Sequence, residues 1–204
     1  MMIILADAEL ELVPNQMLVE EDVKKVLERE GKENVLLDNY EMRRAISKHF
    51  PQKVNRIGFP DIAYMFWRLS AESTISKAMN IGYAIHTKFN VIIEQNDLMG
   101  IGPSYAEFKE RVEKILLGTH RKEKIIDYLR SKGILDNVVV LHPKGKDNLQ
   151  YSVNLNYVIG GFPEGDFSSD LRGLPKSSIY DRELTVPAVV ELLHFGIFRE
   201  TNFP

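Results

Sequence analysis

Residues 157–167 read YVIGGFPEGDF, in which a short apolar run stops at two glycines and a proline. The apolar run predicts a buried strand that opens into a loop. Gly160 and Gly161 lack Cβ atoms where the backbone leaves the sheet, which permits positive φ and a close approach to the main chain. The pair therefore indicates either an ordinary strand-to-loop turn or a place where a flat ligand lies against the backbone.

Strand, loop and helix follow one another again in the last part of the chain. Residues 176–187 read KSSIYDRELTVP and precede an apolar helical pattern at Val189, Val190, Leu193 and Ile197. In a chain of this size, such an apolar stripe predicts a two-fold interface between two copies. We therefore expect a final helix that contacts a second copy of the chain.

Periodic patterns elsewhere in the chain predict an α/β fold. Gly31, Gly118 and Gly133 mark the ends of three helical patterns, because glycine commonly follows the last helical turn. Helix and strand alternate in the third quarter, which favours a parallel sheet. The predicted strands lie at residues 2–6, 78–87, 91–94, 138–141 and 157–159, and the predicted helices at residues 19–29, 40–49, 103–118 and 122–132.

The composition is that of an ordinary globular protein. The chain has 204 residues, of which 44% are hydrophobic and 27% charged, and no linker rich in Ser, Gly or Pro divides it. We expect one domain over residues 1–204. The apolar runs are far shorter than the roughly 18 residues that cross a membrane, and no signal region begins the chain, so we expect a cytoplasmic protein without membrane partners. The absence of cysteine excludes disulfides and thiolate chemistry.

The net charge of −3 argues against a uniformly basic nucleic-acid binder, but one segment departs from the average. Residues 42–57, which we call the basic segment, contain no acidic residue. The segment either binds phosphate or is a solvated helix face. A second cluster at residues 121–132 is diluted by Glu123 and Asp127 and is typical of a helix surface. The basic residues of the basic segment are Arg43, Arg44, Lys48, Lys53 and Arg56.

Several common functional motifs are absent from the sequence. The five histidines are scattered without the spacing of metal ligands, so we predict no metal site. There is no P-loop, no Gly-x-Gly-x-x-Gly fingerprint and no Gly-x-Ser-x-Gly nucleophile turn. The aromatic pair Phe66 and Trp67 either stacks on a base or belongs to the core.

Three predicted strand ends carry loops of unusual composition, at residues 141–143, 160–162 and 178–180. Ligands of open α/β sheets bind outside the carboxyl ends of the strands. We therefore expect these three loops to converge on one ligand site.

Four stretches together resemble the Emg/Nep family of ribosome-biogenesis pseudouridine methyltransferases. They are IILADAELEL at residues 3–12, RIGFPDI at 56–62, and the two stretches quoted above at 157–167 and 176–187. Their order and spacing match the family over nearly the whole chain. The resemblance implies a SPOUT-class α/β sheet with helices on both faces and a C-terminal trefoil knot.

The same resemblance implies an activity and its partners. The implied enzyme transfers a methyl group from S-adenosylmethionine to N1 of a pseudouridine in small-subunit ribosomal RNA and acts in small-subunit biogenesis. It works as a homodimer, with other small-subunit assembly factors as further partners. Two alternatives stay open: a non-enzymatic RNA-binding assembly factor, and a methyltransferase of the same fold with another RNA target.

The resemblance also implies which residues line the cofactor pocket. Main-chain groups at strand ends can read adenine edges and a carboxylate, so few conspicuous side chains are needed. For each apolar member, plain core packing is the alternative. The implied cofactor residues are Leu141 and His142 in the first loop, Gly160, Gly161 and Gly165 in the second, and Ser177, Ser178, Ile179, Tyr180 and Leu184 in the third.

Asp61 is the catalytic candidate that the resemblance implies. The family motif Gly-Arg-Pro-Asp appears here as Gly58-Phe59-Pro60-Asp61, without its arginine. Arg56 is close enough in sequence to partner Asp61 instead. The alternative is that Asp61 caps a helix that starts at Ile62.

A larger departure concerns arginines that grip the RNA backbone in the family. Gly100, Pro103 and Glu107 occupy the positions that align with them. The loss of several phosphate contacts would weaken RNA binding by orders of magnitude. Either other cations compensate or the RNA target has changed. The cations expected to compensate are Arg43, Arg44, Lys53, Arg56 and Lys109.

Overall fold

A computed structural model of the chain describes residues 1–118, 120–145, 147–180 and 182–201. These residues form a seven-stranded sheet. In chain order the strands are β1 (Met2–Ala8), β2 (Gly82–Thr87), β3 (Ile92–Glu94), β4 (Val138–Leu141), β5 (Asp147–Asn148), β6 (Asn156–Gly160) and β7 (Lys176–Ser178).

The strand order across the sheet is β3-β2-β1-β6-β4-β7-β5, and the predicted parallel pairing is confirmed. β1 pairs in parallel with both β2 and β6, and β4 pairs in parallel with both β6 and β7. The edge strand β3 runs antiparallel to β2. The apolar centre of the sheet therefore consists of the parallel strands with continuous apolar runs.

Helices cover both faces of this sheet. The helices are α1 (Glu21–Glu30), α2 (Asn39–His49), α3 (Pro60–Glu72), α4 (Thr74–Ala78), α5 (Tyr105–Leu117), α6 (Ile125–Ser131) and α7 (Val186–Glu200).

Alternation along the strands divides the core into two layers. Ile3 and Leu5 of β1 pack on one face, with side chains from α3, α5 and α7. Ile4 and Ala6 pack on the other face, with side chains from α6. Successive residues of a strand point to opposite faces, so one apolar run supplies both layers. A third cluster joins α1 and α2 with Ile57 at the end of the basic segment.

Some predicted element boundaries differ from the observed ones. The strand predicted at residues 78–87 begins at Gly82, because Thr74–Ala78 forms a short helix instead. The helix predicted at residues 122–132 is shorter, Ile125–Ser131. The helix expected to start at Ile62 begins at Pro60, since proline suits the first helical turn.

The predicted interface stripe on the final helix is wrong as stated. Val190, Leu193 and Ile197 of α7 are fully buried within the chain, where α7 packs against α3. The free energy gained by covering them already stabilises this fold, so they cannot face a second copy. Leu192 and Phe195 lie on the exposed side of the same helix.

β7 lies between β4 and β5, although β4 and β5 follow one another in the chain. Leu141 of β4 and Asp147 of β5 are both registered with Ser177 of β7. β7 is thus inserted between two strands that are joined by a short connection. The trefoil knot itself stays a prediction.

Among the described residues, no helix combines the length and the apolar character needed to pass through a bilayer.

Candidate functional site

A cavity of about 820 Å³ lies at the carboxyl ends of β4, β6 and β7. Three loops form its walls, at residues 141–144, 162–167, and 179–180 with 182–187. The rest of the lining consists of Asp61, Ile62 and Met65 of α3, Ile159 and Gly160 of β6, and Val189 of α7. The convergence of the three strand-end loops is thus confirmed, as the geometry of a parallel sheet requires.

Most of the residues predicted to bind the cofactor lie in this wall. Three do not line the cavity, and their main-chain groups bond to other parts of the chain. Gly161 N–H donates to the carbonyl of Ala6 at 2.7 Å, and the Ser177 and Ser178 carbonyls accept from His142 and Leu149 at 3.0 and 2.9 Å. The predicted residues that line the cavity are Leu141, His142, Gly160, Gly165, Ile179, Tyr180 and Leu184.

Gly160 and Gly161 leave space that other parts of the same chain occupy. Neither Gly160 nor Gly161 adopts the positive φ that glycine permits; in this loop that conformation belongs to Gly165, with φ of 93°. A Cβ on Gly160 would lie 2.8 Å from the Phe162 ring, and a Cβ on Gly161 would lie 2.7 Å from Cα of Ala8. The groups that approach the main chain closely at this pair are therefore the Phe162 ring and the backbone of Ala8.

One end of the loop at residues 162–167 is tied to strand β1. Asp7, a buried residue with φ of 54°, accepts hydrogen bonds from the N–H groups of Ser168 and Ser169 at 2.8 and 2.9 Å. His86 lies beside it, with Nδ1 3.7 Å from Asp7 Oδ1. Burial lowers the pKa of His86 more than Asp7 raises it, so the imidazole is neutral at pH 7.

His142 and Asp166 connect two of the three loops across the cavity mouth. His142 Nδ1 accepts from the Lys144 N–H at 3.0 Å, and Nε2 donates to Asp166 Oδ1 at 3.1 Å. Burial opposes ionisation of Asp166, but the Phe167 N–H and the His142 ring hold its pKa below the ordinary value. Asp166 is therefore a carboxylate at neutral pH.

Asp61 projects into the cavity from the first turn of α3. The helix begins at Pro60 after the cap residue Phe59, so the interpretation of Asp61 as the cap is wrong. Asp61 Oδ1 is buried and has no hydrogen-bond partner among the described residues. Burial, with a smaller contribution from Asp38, raises the pKa of Asp61, although nearby main-chain N–H groups oppose the rise. One acceptor of this cavity-lining carboxyl is thus left unsatisfied among the described residues.

The five cations predicted to bind RNA fall into two groups. Arg43, Arg44 and Lys53 are exposed on the basic segment, and Arg43 is held by Asn39 and Asn55. The other two are engaged by carboxylates. The side chain of Lys109 is only 13% exposed and lies 3.6 to 3.8 Å from Glu30, Asp38 and Glu41, and Arg56 pairs with Glu9 at 3.2 Å.

Two further predictions concern positions near these cations. Glu107, at a position where the family carries arginine, accepts from the Gly102 N–H at 2.5 Å and closes a local turn. Phe66 and Trp67 are buried, and the Trp67 ring stacks on Phe108 at 5.5 Å. The interpretation of the aromatic pair as core is therefore confirmed. Among the described residues, no cluster of His, Asp or Glu could hold a metal ion.

Several residues of the cavity wall were not predicted, although the sequence carries signals for most of them. Phe162, Asp166 and Phe167 belong to the stretch quoted first, yet only its glycines were selected. Met65 lies four residues after Asp61 on the predicted helix, and that spacing could have identified it. No such spacing indicates Ile62, the residue next to Asp61.

Comparisons with known proteins agree with this architecture. The EMG1/NEP1 methyltransferase family matches residues 3–194. The ribosomal RNA small subunit methyltransferases Nep1 of Thermoplasma acidophilum and Thermoplasma volcanium are each 30% identical over 204 residues, covering 92% of both chains. Nep1 of Methanothrix thermoacetophila is 27% identical, covering 90% of this chain and 88% of its own.

A solved structure shows the same fold. The crystal structure of Archaeoglobus fulgidus Nep1 bound to S-adenosylhomocysteine superposes with a TM-score of 0.82, covering 98% of each chain at 21% identity. This likeness confirms the SPOUT-class α/β fold. With a family match over most of its length and relatives at 30% identity, the chain belongs to the EMG1/NEP1 methyltransferase family.

Proposed function

We propose that this protein transfers a methyl group from S-adenosylmethionine to N1 of a pseudouridine in small-subunit ribosomal RNA. The observation that carries the proposal is the cavity in which three loops meet Asp61, whose Oδ1 has no hydrogen-bond partner among the residues that the structure describes. The three relatives reported above are named as ribosomal RNA small subunit methyltransferases, and the Archaeoglobus protein was solved with S-adenosylhomocysteine.

The residues of the cavity suit this cofactor. Leu141, Ile179 and Leu184 offer apolar surface for a flat heterocycle, while the loop backbones supply N–H and C=O groups that can read its edges. When bound, the cofactor supplies an electrophilic methyl group and a neutral leaving group, so the protein needs to orient the acceptor rather than activate the donor.

Asp61 is the residue that we assign to the acceptor. The pseudouridine N1 carries a proton that must leave as its new bond to carbon forms. Asp61 Oδ1, buried and free of partners among the described residues, can accept a hydrogen bond from this N–H and then take the proton. The raised pKa of Asp61 makes its carboxylate a better base than an exposed one.

The proposal also covers the domain organisation, the oligomeric state, the location and the partners of the protein. We propose that residues 1–204 act as one domain and that two copies form a homodimer in the cytoplasm, where other small-subunit assembly factors are partners. The exposed apolar side of α7, with Leu192 and Phe195, supports the dimer, because exposed apolar surface of this kind is commonly covered by a partner.

Two measurements test the proposed function. Titration calorimetry with S-adenosylhomocysteine should give micromolar binding, and labelled S-adenosylmethionine should transfer its methyl group to a small-subunit hairpin containing pseudouridine. The matched hairpin with uridine at that position should accept none, because uridine carries the sugar on N1. A folded protein that binds no S-adenosylhomocysteine supports the non-enzymatic assembly factor instead, and equal methylation of both hairpins indicates another acceptor.

A further inference from the structure

Arg56 lies behind the loop at residues 162–167 and fastens it. Its Nη1 donates to the carbonyl of Glu164 at 2.8 Å, and its Nη2 donates to the carbonyl of Asp166 at 2.9 Å. Glu164 and Asp166 both line the cavity. A planar guanidinium holds two such acceptors at a fixed separation, which a lysine ammonium cannot do. The loop is therefore held from outside the cavity.

The guanidinium is itself held in place by two further contacts. Its Nε donates to Glu9 Oε1 at 3.2 Å, and its Cζ lies 4.4 Å from the centre of the Phe162 ring. Glu9 is buried, only 3% exposed, and also accepts from Lys88 Nζ at 2.6 Å. A guanidinium that is paired with a buried carboxylate and hydrogen-bonded to two carbonyls is held in one position.

Gly165 leaves the space that this position requires. Its φ is 93°, and a Cβ at Gly165 would lie 2.4 Å from Arg56 Nη1. The glycine therefore allows the loop backbone to approach the guanidinium, whereas any side chain there would push the guanidinium away.

We propose that Arg56 is a positioning residue for the cofactor: it holds the loop at residues 162–167 in the shape that binds S-adenosylmethionine, and so joins the basic segment to the cavity. This inference rests on the proposed function, because the ligand is taken from it. The Arg56 N–H donates to the Lys53 carbonyl at 2.9 Å, and Arg56, which reaches the cavity loop, belongs to the same basic segment as the exposed cations. Ligands at the two places should therefore influence one another's affinity.

The test compares Arg56→Lys with Arg130→Lys, which makes the same change at an exposed arginine of α6 that pairs with Asp127. Arg56→Lys keeps the charge beside Glu9 and should fold, but should weaken S-adenosylhomocysteine binding by roughly tenfold, because two charge-assisted hydrogen bonds are lost. Amide hydrogen exchange at residues 162–169 should be faster in Arg56→Lys than in the parent. Arg130→Lys should leave both measurements unchanged.

A second pair of variants isolates the role of Gly165. Gly165→Ala should weaken S-adenosylhomocysteine binding in the parent and do so much less when Arg56 is already replaced by alanine, because the clash is then absent. Gly173→Ala is the control for backbone strain, since Gly173 has φ of 88° with no atom within 4 Å of the added Cβ. It should leave the affinity unchanged.

The possible failures can be told apart. A folded parent that binds no S-adenosylhomocysteine contradicts the proposed function and, with it, the cofactor role of Arg56. A parent that binds the ligand, together with an Arg56→Lys variant of equal affinity and equal loop exchange, overturns the role of Arg56 alone.

Discussion

A Cβ on Gly145 would lie 2.3 Å from the carbonyl carbon of Ser177, so the connection that leaves β4 crosses β7 almost backbone to backbone. No residue with a side chain fits at that separation. Gly145 also closes a turn, because its N–H donates to the His142 carbonyl at 2.8 Å. The crossing thus fixes His142, which lines the cavity, relative to the inserted strand.

Gly145→Ala should destabilise the protein, because the added methyl group meets backbone, which cannot move aside cheaply. We expect the free energy of unfolding, measured by urea titration, to fall by about 1–3 kcal/mol. Gly82→Ala is the control, since its Cβ would meet Met2 Cγ at an ordinary 3.4 Å. That change should stay within about 0.5 kcal/mol. If the two variants have equal urea midpoints of unfolding, the backbone at Gly145 does not lie in close contact with the backbone of β7.

The sequence predicted the centre of the sheet better than the edge formed by β7 and β5. Strands β1, β4 and β6 are continuous apolar runs, and such runs report burial directly. Strand β7 reads Lys-Ser-Ser, a polar triplet whose extended form depends on strands that pair with it on both sides. Local propensity carries no record of such pairing.

The contacts of Arg56 could not be predicted either, because they also join distant parts of the chain. Its basic neighbours predicted a phosphate contact, but its partners Glu9, Glu164 and Asp166 are 47, 108 and 110 residues away in the chain. Only the folded chain shows that they meet. The strand-end loops, by contrast, could be predicted to converge because the direction of parallel strands determines where their ends lie.

The neighbouring glycines Gly160 and Gly161 should respond differently to valine. At Gly160 the new side chain meets the end of the Phe162 ring, a side chain that can swing, and Phe162 lines the cavity. Gly160→Val should therefore fold but lose at least roughly tenfold in affinity for S-adenosylhomocysteine. At Gly161 the new side chain meets Cα of Ala8. Gly161→Val should therefore lower the free energy of unfolding by about 1–3 kcal/mol.

Calorimetry and urea titration of both variants check this contrast. A folded Gly160→Val variant with the affinity of the parent would show that the Phe162 ring is not part of the ligand site.

Asp61→Asn should separate activity from stability. The pKa of Asp61 is raised above its ordinary value near 3.8, so the folded protein binds more protons than the unfolded chain between the two values. Stability contributed by the protonated form is therefore lost as pH rises through that window. The amide of the variant cannot ionise, so Asp61→Asn should be at least as stable as the parent at pH 7 and should lack this pH dependence.

The rate of methyl transfer by the same variant should fall by a factor of about 10² or more, because an amide cannot take the proton from N1 of the pseudouridine. Urea titrations at pH 4 and 7, with single-turnover methylation, measure both effects. A variant that is less stable than the parent at pH 7 would mean that Asp61 holds the fold instead.

Phe195→Glu should weaken the proposed homodimer. The Phe195 side chain is 57% exposed on α7, on the side away from the buried Val190 and Leu193. A charge placed in an apolar interface costs several kcal/mol, whereas on a solvated helix face it costs little. Light scattering at micromolar concentration should show a dimer for the parent and a smaller species for the variant. Glu191→Gln, an exposed change on the same helix, should leave the dimer intact.

A parent that is monomeric at micromolar concentration would contradict the dimer altogether. If instead Phe195→Glu stays dimeric, the two copies meet through another surface.

The last prediction follows from the placement of the cations of the basic segment. Lys48 pairs with Glu20 at 2.8 Å and Arg56 with Glu9 at 3.2 Å, so these two charges already have partners. Arg44 and Lys53 are exposed. They are therefore the cations best placed to replace the phosphate contacts that the family's arginines make.

Arg44→Ala with Lys53→Ala should weaken binding to a small-subunit hairpin and reduce the log–log salt slope by roughly one to two units, because each lost phosphate contact contributes about 0.7–0.9. Affinity for S-adenosylhomocysteine should stay the same. Lys25→Ala with Lys114→Ala is the matched control, since it removes two exposed charges that pair with Glu21 and Glu110. The control should keep the parental salt slope. If both double variants bind the hairpin alike at every salt concentration, Arg44 and Lys53 are only solvated and the RNA lies against another face.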